Sequence, residues 1–146
     1  MNKKTVETIE VDGKTLAILL RTNYCEDGIK FFTSDHFTQQ LAYMKRSAGY
    51  VIAPHVHNPV QREVFYTKEV LFIKSGKVRI DFYDEMKKYL ESRVLDPGDV
   101  ILLAFGGHGL EMLETSEIIE VKQGPYAGEL DKTRFMPAVK EILKVR

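Results

Sequence analysis

The sequence predicts an all-β fold built from short strands. Apolar and polar residues alternate over many short segments, and Gly, Pro, Asp or Asn interrupts these segments at intervals of about eight to twelve residues. This spacing is typical of a β-sandwich or a β-barrel. The chain has 146 residues and contains no repeat or linker, so we expect one domain over residues 1–146 with a buried core.

The individual strands follow from the same criteria. Residues 6–11 and 14–21 flank Asp12-Gly13, a dipeptide typical of tight hairpins. Residues 78–83 alternate cleanly, and residues 89–95 would return antiparallel to them. The remaining predicted strands are 41–45, 50–57, 69–74, 100–105 and 117–123.

Only the C-terminal segment, residues 137–145, has a helical pattern. Pro137 suits the first turn of a helix, and the apolar residues Val139, Ile142 and Leu143 follow at helical spacing. We therefore expect one short C-terminal helix after the strands.

Composition and charge restrict the partners. The chain has 21 basic and 21 acidic side chains, which argues against a polyanion-binding surface and against a nucleic-acid partner. Cys25 is the only cysteine, so no intramolecular disulfide can form, and a reducing compartment is expected. The early apolar run at 16–20 is too short to cross a membrane. These features predict a cytoplasmic protein without a membrane partner.

Three of the four histidines fall in two short motifs. His55 and His57 are two residues apart, and in a strand such residues point to the same side. His108 follows a glycine pair further along the chain. Imidazole and carboxylate groups suit zinc, iron, manganese and nickel, although an HxH pair also arises by chance. His36, beside Asp35 in a polar loop, is interpreted as an ordinary surface histidine.

The spacing around these histidines resembles the cupin family. The first cupin motif is matched by Gly49, His55, His57, Glu69 and Gly76, except that eleven residues separate His57 from Glu69, where the family has a shorter gap. The second motif is matched in part. Its residues are Gly98, Gly106 and His108, with Ala104 in place of the family's proline and His108 one residue early. The resemblance implies a single-domain cupin barrel, also called a double-stranded β-helix or jelly roll.

The resemblance also implies one divalent metal ion, such as Zn, Fe, Mn or Ni, held by His55, His57, Glu69 and His108. Glu63 is a competing carboxylate only a few residues after His57. Glu69 is preferred because it begins an apolar strand and stands at the family's distance before Gly76.

Two polar clusters are candidates for substrate binding. Residues 58–68 would form an insertion beside the metal, and insertions of this kind often carry specificity. A second cluster follows the apolar strand near residue 119. The alternative interpretations are a solvated loop and an exposed strand end. The candidate substrate-binding residues are Arg62, Glu63, Tyr66, Lys122 and Tyr126.

The resemblance favours a metal-dependent enzyme acting on a small carbohydrate-like or carboxylated substrate. A metal with an open position can polarise a carbonyl or stabilise an enediolate, as isomerases and epimerases require. Cupins of this kind occur in sugar-phosphate isomerisation and beside bacterial surface-polysaccharide genes. An iron(II) dioxygenase and a non-catalytic ligand-binding cupin are the alternatives. Because cupins pair through their sheets, we also expect a homodimer.

Overall fold

The computed structural model describes residues 4–146 and divides the chain into two compact units. The larger unit comprises the residues up to Tyr24 together with Tyr66–Arg146, and the smaller unit is Cys25–Phe65. The smaller unit contains β3 (Gly28–Phe31) and β4 (Ala42–Lys45), which pair antiparallel. The larger unit contains β1 (Val6–Val11), β2 (Lys14–Leu20), β5 (Glu69–Ser75), β6 (Val78–Tyr83), β7 (Tyr89–Leu95), β8 (Val100–Leu103), β9 (Gly107–Met112) and β10 (Glu117–Lys122).

The strands of the larger unit form two antiparallel sheets. One has five strands in the order β1-β2-β8-β5-β10, and the other has three in the order β7-β6-β9. The two sheets are separate hydrogen-bonded ladders over the described residues and do not close into one continuous barrel. The predicted all-β fold class is confirmed.

A single apolar core joins the two sheets. Leu71 and Ile73 of the five-stranded sheet and Ile80 and Phe82 of the three-stranded sheet belong to the same cluster, and all four are almost fully buried. Each such side chain contributes about 1.5–3 kcal/mol through burial. Other members of this core are Ile9, Leu16, Ala17, Leu19, Val78, Leu95, Ile101 and Leu103.

The predicted C-terminal helix is wrong. Residues 137–145 contain only one 3-10 turn, Lys140–Ile142, and then run extended. The reason is tertiary hydrogen bonding. Ser92 donates its backbone N–H to Lys144 O at 2.9 Å and accepts from Arg146 N at 3.0 Å, so the chain end forms a parallel bridge with β7. No helix in residues 4–146 has the length and apolar character needed to span a bilayer.

The predicted strand over 50–57 is also wrong. Residues 50–65 have no regular secondary structure and are exposed. Pro54 cannot donate a backbone hydrogen bond and disfavours a central strand, and Val51 and Ile52 contribute nothing to a buried face. The assumption that a strand aligns His55 with His57 therefore fails.

A buried ion cluster fixes the start of β8. Arg21 donates from Nη1 to Asp99 Oδ2 at 2.8 Å, and the same carboxylate accepts the backbone N–H groups of Thr22 and Asp96 at 2.9 and 3.0 Å. Gly98 has φ +89°, a conformation that strains any other residue, and an added Cβ would collide with Thr22. The Pro97-Gly98 turn is therefore fixed both by the hydrogen bonds to the Asp99 carboxylate and by its close packing against Thr22.

Glu7 links the same cluster to β7. It accepts hydrogen bonds from Arg21 Nη2 at 2.8 Å and Arg93 Nε at 2.6 Å. Burial alone would raise the pKa of Glu7, but the hydrogen bonds from Arg93 and Arg21 outweigh it and hold the pKa below its ordinary value.

We expect Glu7→Gln to lower the free energy of unfolding at pH 7 by about 2–3 kcal/mol, because Arg21 and Arg93, both buried, each lose one of their counter-charges and keep only Asp99 and Glu91. The depressed pKa means that this stabilisation is present above the ordinary glutamate value, about pH 4.3, and is lost as pH falls through the lower folded value. Urea unfolding between pH 7 and pH 3 measures both effects.

Glu10→Gln is the control, because Glu10 is an exposed carboxylate on the same strand. It should change the free energy of unfolding by less than about 0.5 kcal/mol. Equal effects of the two variants at pH 7 would contradict the role assigned to Glu7.

Candidate functional site

Glu69 and His108 meet at one end of the core in the larger unit. Along β5, Glu69 continues the row of the core residues Leu71 and Ile73. On β9, His108 lies opposite the core residue Phe82 of β6, and directly opposed residues share a face. The two sheets thus bring His108 Nε2 to 3.1 Å from Glu69 Oε2.

The environment keeps the Glu69 carboxylate ionised. The hydrogen bond with His108 lowers the pKa of Glu69, burial opposes this, and the charges of His108, Lys122 and Lys132 lower it further. Lys122 Nζ lies 3.9 Å from Glu69 Oε1 and 2.9 Å from Glu120 Oε1. The Glu69 side chain is only 13% exposed, against 29% for His108. An ionised and largely buried carboxylate beside an imidazole can bind a cation or hold the imidazole in one orientation.

A cleft of about 650 Å³ opens beside this pair, within the larger unit. Its volume is in the range of small-ligand sites. Two aromatic pairs line it: Tyr66 and Phe105, with ring centroids 5.3 Å apart, and Tyr83 and Phe135, with centroids 5.0 Å apart. Both pairs are edge-to-face, an arrangement that holds each ring in place.

Two glycines make room for the cleft wall. Gly106 has φ +72°, and a Cβ there would collide with Leu16 and with the backbone of Tyr83. At Gly107 an added Cβ would lie 3.0 Å from Phe135 Cζ. The glycines before His108 therefore allow the close approach of chain segments that are distant in sequence.

His55 and His57 lie in the smaller unit, in its exposed irregular part. Their ring centroids are 5.2 Å apart and the rings are nearly perpendicular. His55 Nδ1 lies 2.9 Å from Ala53 O, and since a carbonyl can only accept, Nδ1 is assigned as the donor. This leaves the lone pair of Nε2 free, the tautomer that metal-binding histidines adopt.

The predicted site residues thus fall into two groups. Glu69, His108, Tyr66 and Lys122 belong to the larger unit, where Tyr66 and the Glu69–His108 pair line the cleft. Tyr126 belongs to the same unit but is not part of the cleft wall. The other predicted residues, His55, His57, Arg62 and Glu63, belong to the smaller unit.

Each unit supplies two of the four predicted metal ligands. Over residues 4–146, no three His, Cys, Asp or Glu side chains form a ready-made cluster for a metal ion. The four-ligand centre stays a prediction, as does the preference for Glu69 over Glu63.

Several cleft residues were not found from the sequence. The sequence predicts Phe105 and Tyr83 only as strand residues, and of the segment 131–137 only Arg134 falls in the second polar cluster. The cleft residues of this segment are Asp131, Lys132, Thr133, Arg134, Phe135 and Pro137. The only available signal was a polar stretch with a single aromatic residue and no periodicity.

No protein-family model, curated protein or solved structure matches this chain. The functional interpretation therefore depends on the residues and on the geometry described above.

We expect Gly107→Ala to displace Phe135 and loosen this wall, at a cost of about 1–2 kcal/mol in the free energy of unfolding. Gly109→Ala is the matched control, because it adds the same methyl group to the same strand with no atom closer than 3.9 Å. Urea unfolding measures the free energy of unfolding, and amide hydrogen exchange across residues 131–138 measures how firmly this wall segment is held. Indistinguishable exchange in the two variants would show that Gly107 has no role in seating Phe135.

Proposed function

We propose that this chain is a metal-dependent cupin that acts on a small carbohydrate-like or carboxylated substrate by Lewis-acid chemistry of the isomerase or epimerase type. The observation that carries the proposal is the meeting of Glu69 and His108 beside a ligand-sized cleft. Two antiparallel sheets around one core support the cupin fold. The ligand set proposed for the metal is His55, His57, Glu69 and His108.

The donor chemistry fits a divalent ion. The Glu69 carboxylate and His108 Nε2 are already within 3.1 Å of each other and face the cleft, so one ion could replace the proton that they share. His55 has a free Nε2 because Nδ1 is engaged by Ala53 O. Nitrogen and oxygen donors of this kind suit Zn, Fe, Mn and Ni alike.

The chain's own residues would prepare the substrate for reaction. A bound metal ion supplies polarisation of a substrate carbonyl. The aromatic side chains Tyr66, Phe105, Tyr83 and Phe135 line the cleft and would offer apolar surface to a substrate ring. Lys122 Nζ, 3.9 Å from Glu69 Oε1, would add positive charge beside that carboxylate.

Metal content tests the ligand set. We expect one divalent ion per chain by elemental analysis of metal-replete protein. The ion should be lost in a His55→Ala/His57→Ala variant and in a Glu69→Ala/His108→Ala variant, because two ligands cannot retain it through gel filtration.

Two single variants serve as controls. His36→Ala and Glu63→Gln should keep the full stoichiometry, since neither residue belongs to the proposed set. Full metal content in both double variants would contradict the proposed metal centre. Loss of the metal in Glu63→Gln alone would identify Glu63, and not Glu69, as the carboxylate ligand.

Solvent exchange tests the reaction class. An enediolate mechanism exchanges the proton next to the carbonyl, so metal-loaded protein in D₂O should introduce deuterium into a substrate from a panel of aldoses, ketoses and sugar acids, measured by NMR. Glu69→Gln and chelator-treated protein should lose this exchange by at least about a hundredfold. Oxygen uptake without deuterium exchange would instead identify an oxygenase.

We also propose a homodimer. Support comes from β10, which lies at the edge of the five-stranded sheet, where Ile119 and Val121 are 53% and 58% exposed beside Phe72. A second copy would cover this edge and its apolar face.

Light scattering at micromolar concentration should give twice the 16.8 kDa chain mass. Ile119→Lys/Val121→Lys should give single chains, because four buried charges would oppose the pairing. A mass of 16.8 kDa for the unaltered protein at micromolar concentration would contradict the proposed homodimer.

A further inference from the structure

The segment 131–137, here called the C-terminal strap, forms one wall of the cleft and brings two cationic side chains to it. Lys132 and Arg134 both line the cleft. The strap is fixed at its start, where Thr67 Oγ1 donates to Asp131 Oδ1 at 2.5 Å. It is fixed at its end by Phe135 packing on Tyr83, and by Ala138 N donating to Tyr83 Oη at 3.0 Å just beyond it. Lys132 and Arg134 therefore lie between two anchors.

The acidic side chains of the cleft already have partners. Asp131 accepts from Thr67, and Glu69 pairs with His108. Glu120 forms an ion pair with Lys122 at 2.9 Å. Lys132, by contrast, has no ion pair within 4 Å and no hydrogen bond within residues 4–146. Among the charged side chains that line the cleft, Lys132 is therefore the one without an ion pair or hydrogen bond in the described residues.

Arg134 retains donors as well. Its one ion pair is with Glu129 at 2.5 Å, made by Nη1, and the side chain is 70% exposed. A guanidinium group has five N–H donors and binds phosphate or carboxylate in a planar, two-pronged manner. Glu129, on the 3-10 turn Gly128–Leu130, holds Arg134 and does not line the cleft.

We propose that the cleft holds its ligand by an anionic oxygen group, a phosphate or a carboxylate, bound between Lys132 and Arg134 of the C-terminal strap. The rest of the ligand then lies against the aromatic walls and faces Glu69 and His108. The proposal deepens the proposed function by naming Lys132 and Arg134 as the residues that bind an anionic group of the substrate. It rests on the proposed function only for the reaction that the bound ligand would undergo, because the binding experiments do not require turnover.

Calorimetric titration of the full-length protein with three related probes tests this site. Glucose 6-phosphate carries a phosphate, glucuronate carries a carboxylate, and glucose carries neither. We expect at least one anionic probe to bind about tenfold more tightly than glucose, and its affinity to fall as ionic strength rises. Equal affinities for all three probes would overturn the proposal, and the stronger anion identifies the group.

Three variants locate the binding. Lys132→Ala/Arg134→Ala should weaken the preferred anionic probe at least tenfold. Lys140→Ala/Lys144→Ala removes the same charge from the same C-terminal region outside the cleft wall and should leave the affinity within twofold. Glu129→Gln should tighten binding about twofold, because it releases Arg134 and removes a repelling charge.

The outcomes separate this proposal from the proposed metal centre. If the strap variant binds as tightly as its charge-matched control, or if Glu129→Gln weakens binding, the anion site is wrong. Metal content is measured on the same samples. If the strap variant keeps its full metal content but loses anion binding, the anion site is supported. If no sample contains metal, the proposed metal centre is overturned, and the anion-binding result stays valid.

Discussion

The apolar packing between the two sheets is the constraint on which the site depends. Sheets that share a core lie about 10 Å apart, a distance set by the side chains between them. Leu71 and Ile73 on β5 and Ile80 and Phe82 on β6 fill this space. Glu69 continues the core row of β5, and His108 shares the face of Phe82, so the same packing determines that their side chains meet.

The C-terminal segment lines the cleft at its start and pairs with the edge strand β7 through one parallel bridge at its end. Its backbone is held by polar groups of the three-stranded sheet: the Tyr83 and Tyr89 hydroxyls accept from Ala138 N and Lys144 N, and Ser92 forms the bridge. These hydrogen bonds outweigh a helical pattern of only nine residues, a length at which an isolated helix is marginal. The cost of losing a helix is small, and the gain is the set of hydrogen bonds to Tyr83, Tyr89 and Ser92.

Much of the fold follows from the sequence, because strand alternation and turn residues are local signals. The hairpin around Asp12-Gly13 and the strands near 78–83 and 89–95 are found where the pattern predicts them. β9 was missed because Gly107 and Gly109 resemble a turn, whereas one of them makes room for Phe135. Such a contact joins segments far apart in sequence, and no local pattern reports it.

The site was predictable only in part, for the same reason. Spacing selected Glu69 and His108, and the fold brings them together. The assumption of a strand at His55 and His57 failed because Pro54 and the absence of a partner strand in the described residues leave that stretch irregular. Lys132 belongs to no motif, and Arg134 falls only in the second polar cluster of the sequence. The role proposed for them depends on the anchors at Thr67 and Tyr83, which become neighbours of the strap only in the folded chain.

The most direct test of the central claim is anomalous X-ray diffraction from crystals of the zinc-loaded protein. The account predicts one zinc peak per chain, about 2.0–2.2 Å from Glu69 and His108 and bound also by His55 and His57. A zinc-free Glu69–His108 pair still joined by its own hydrogen bond in metal-replete crystals would contradict it.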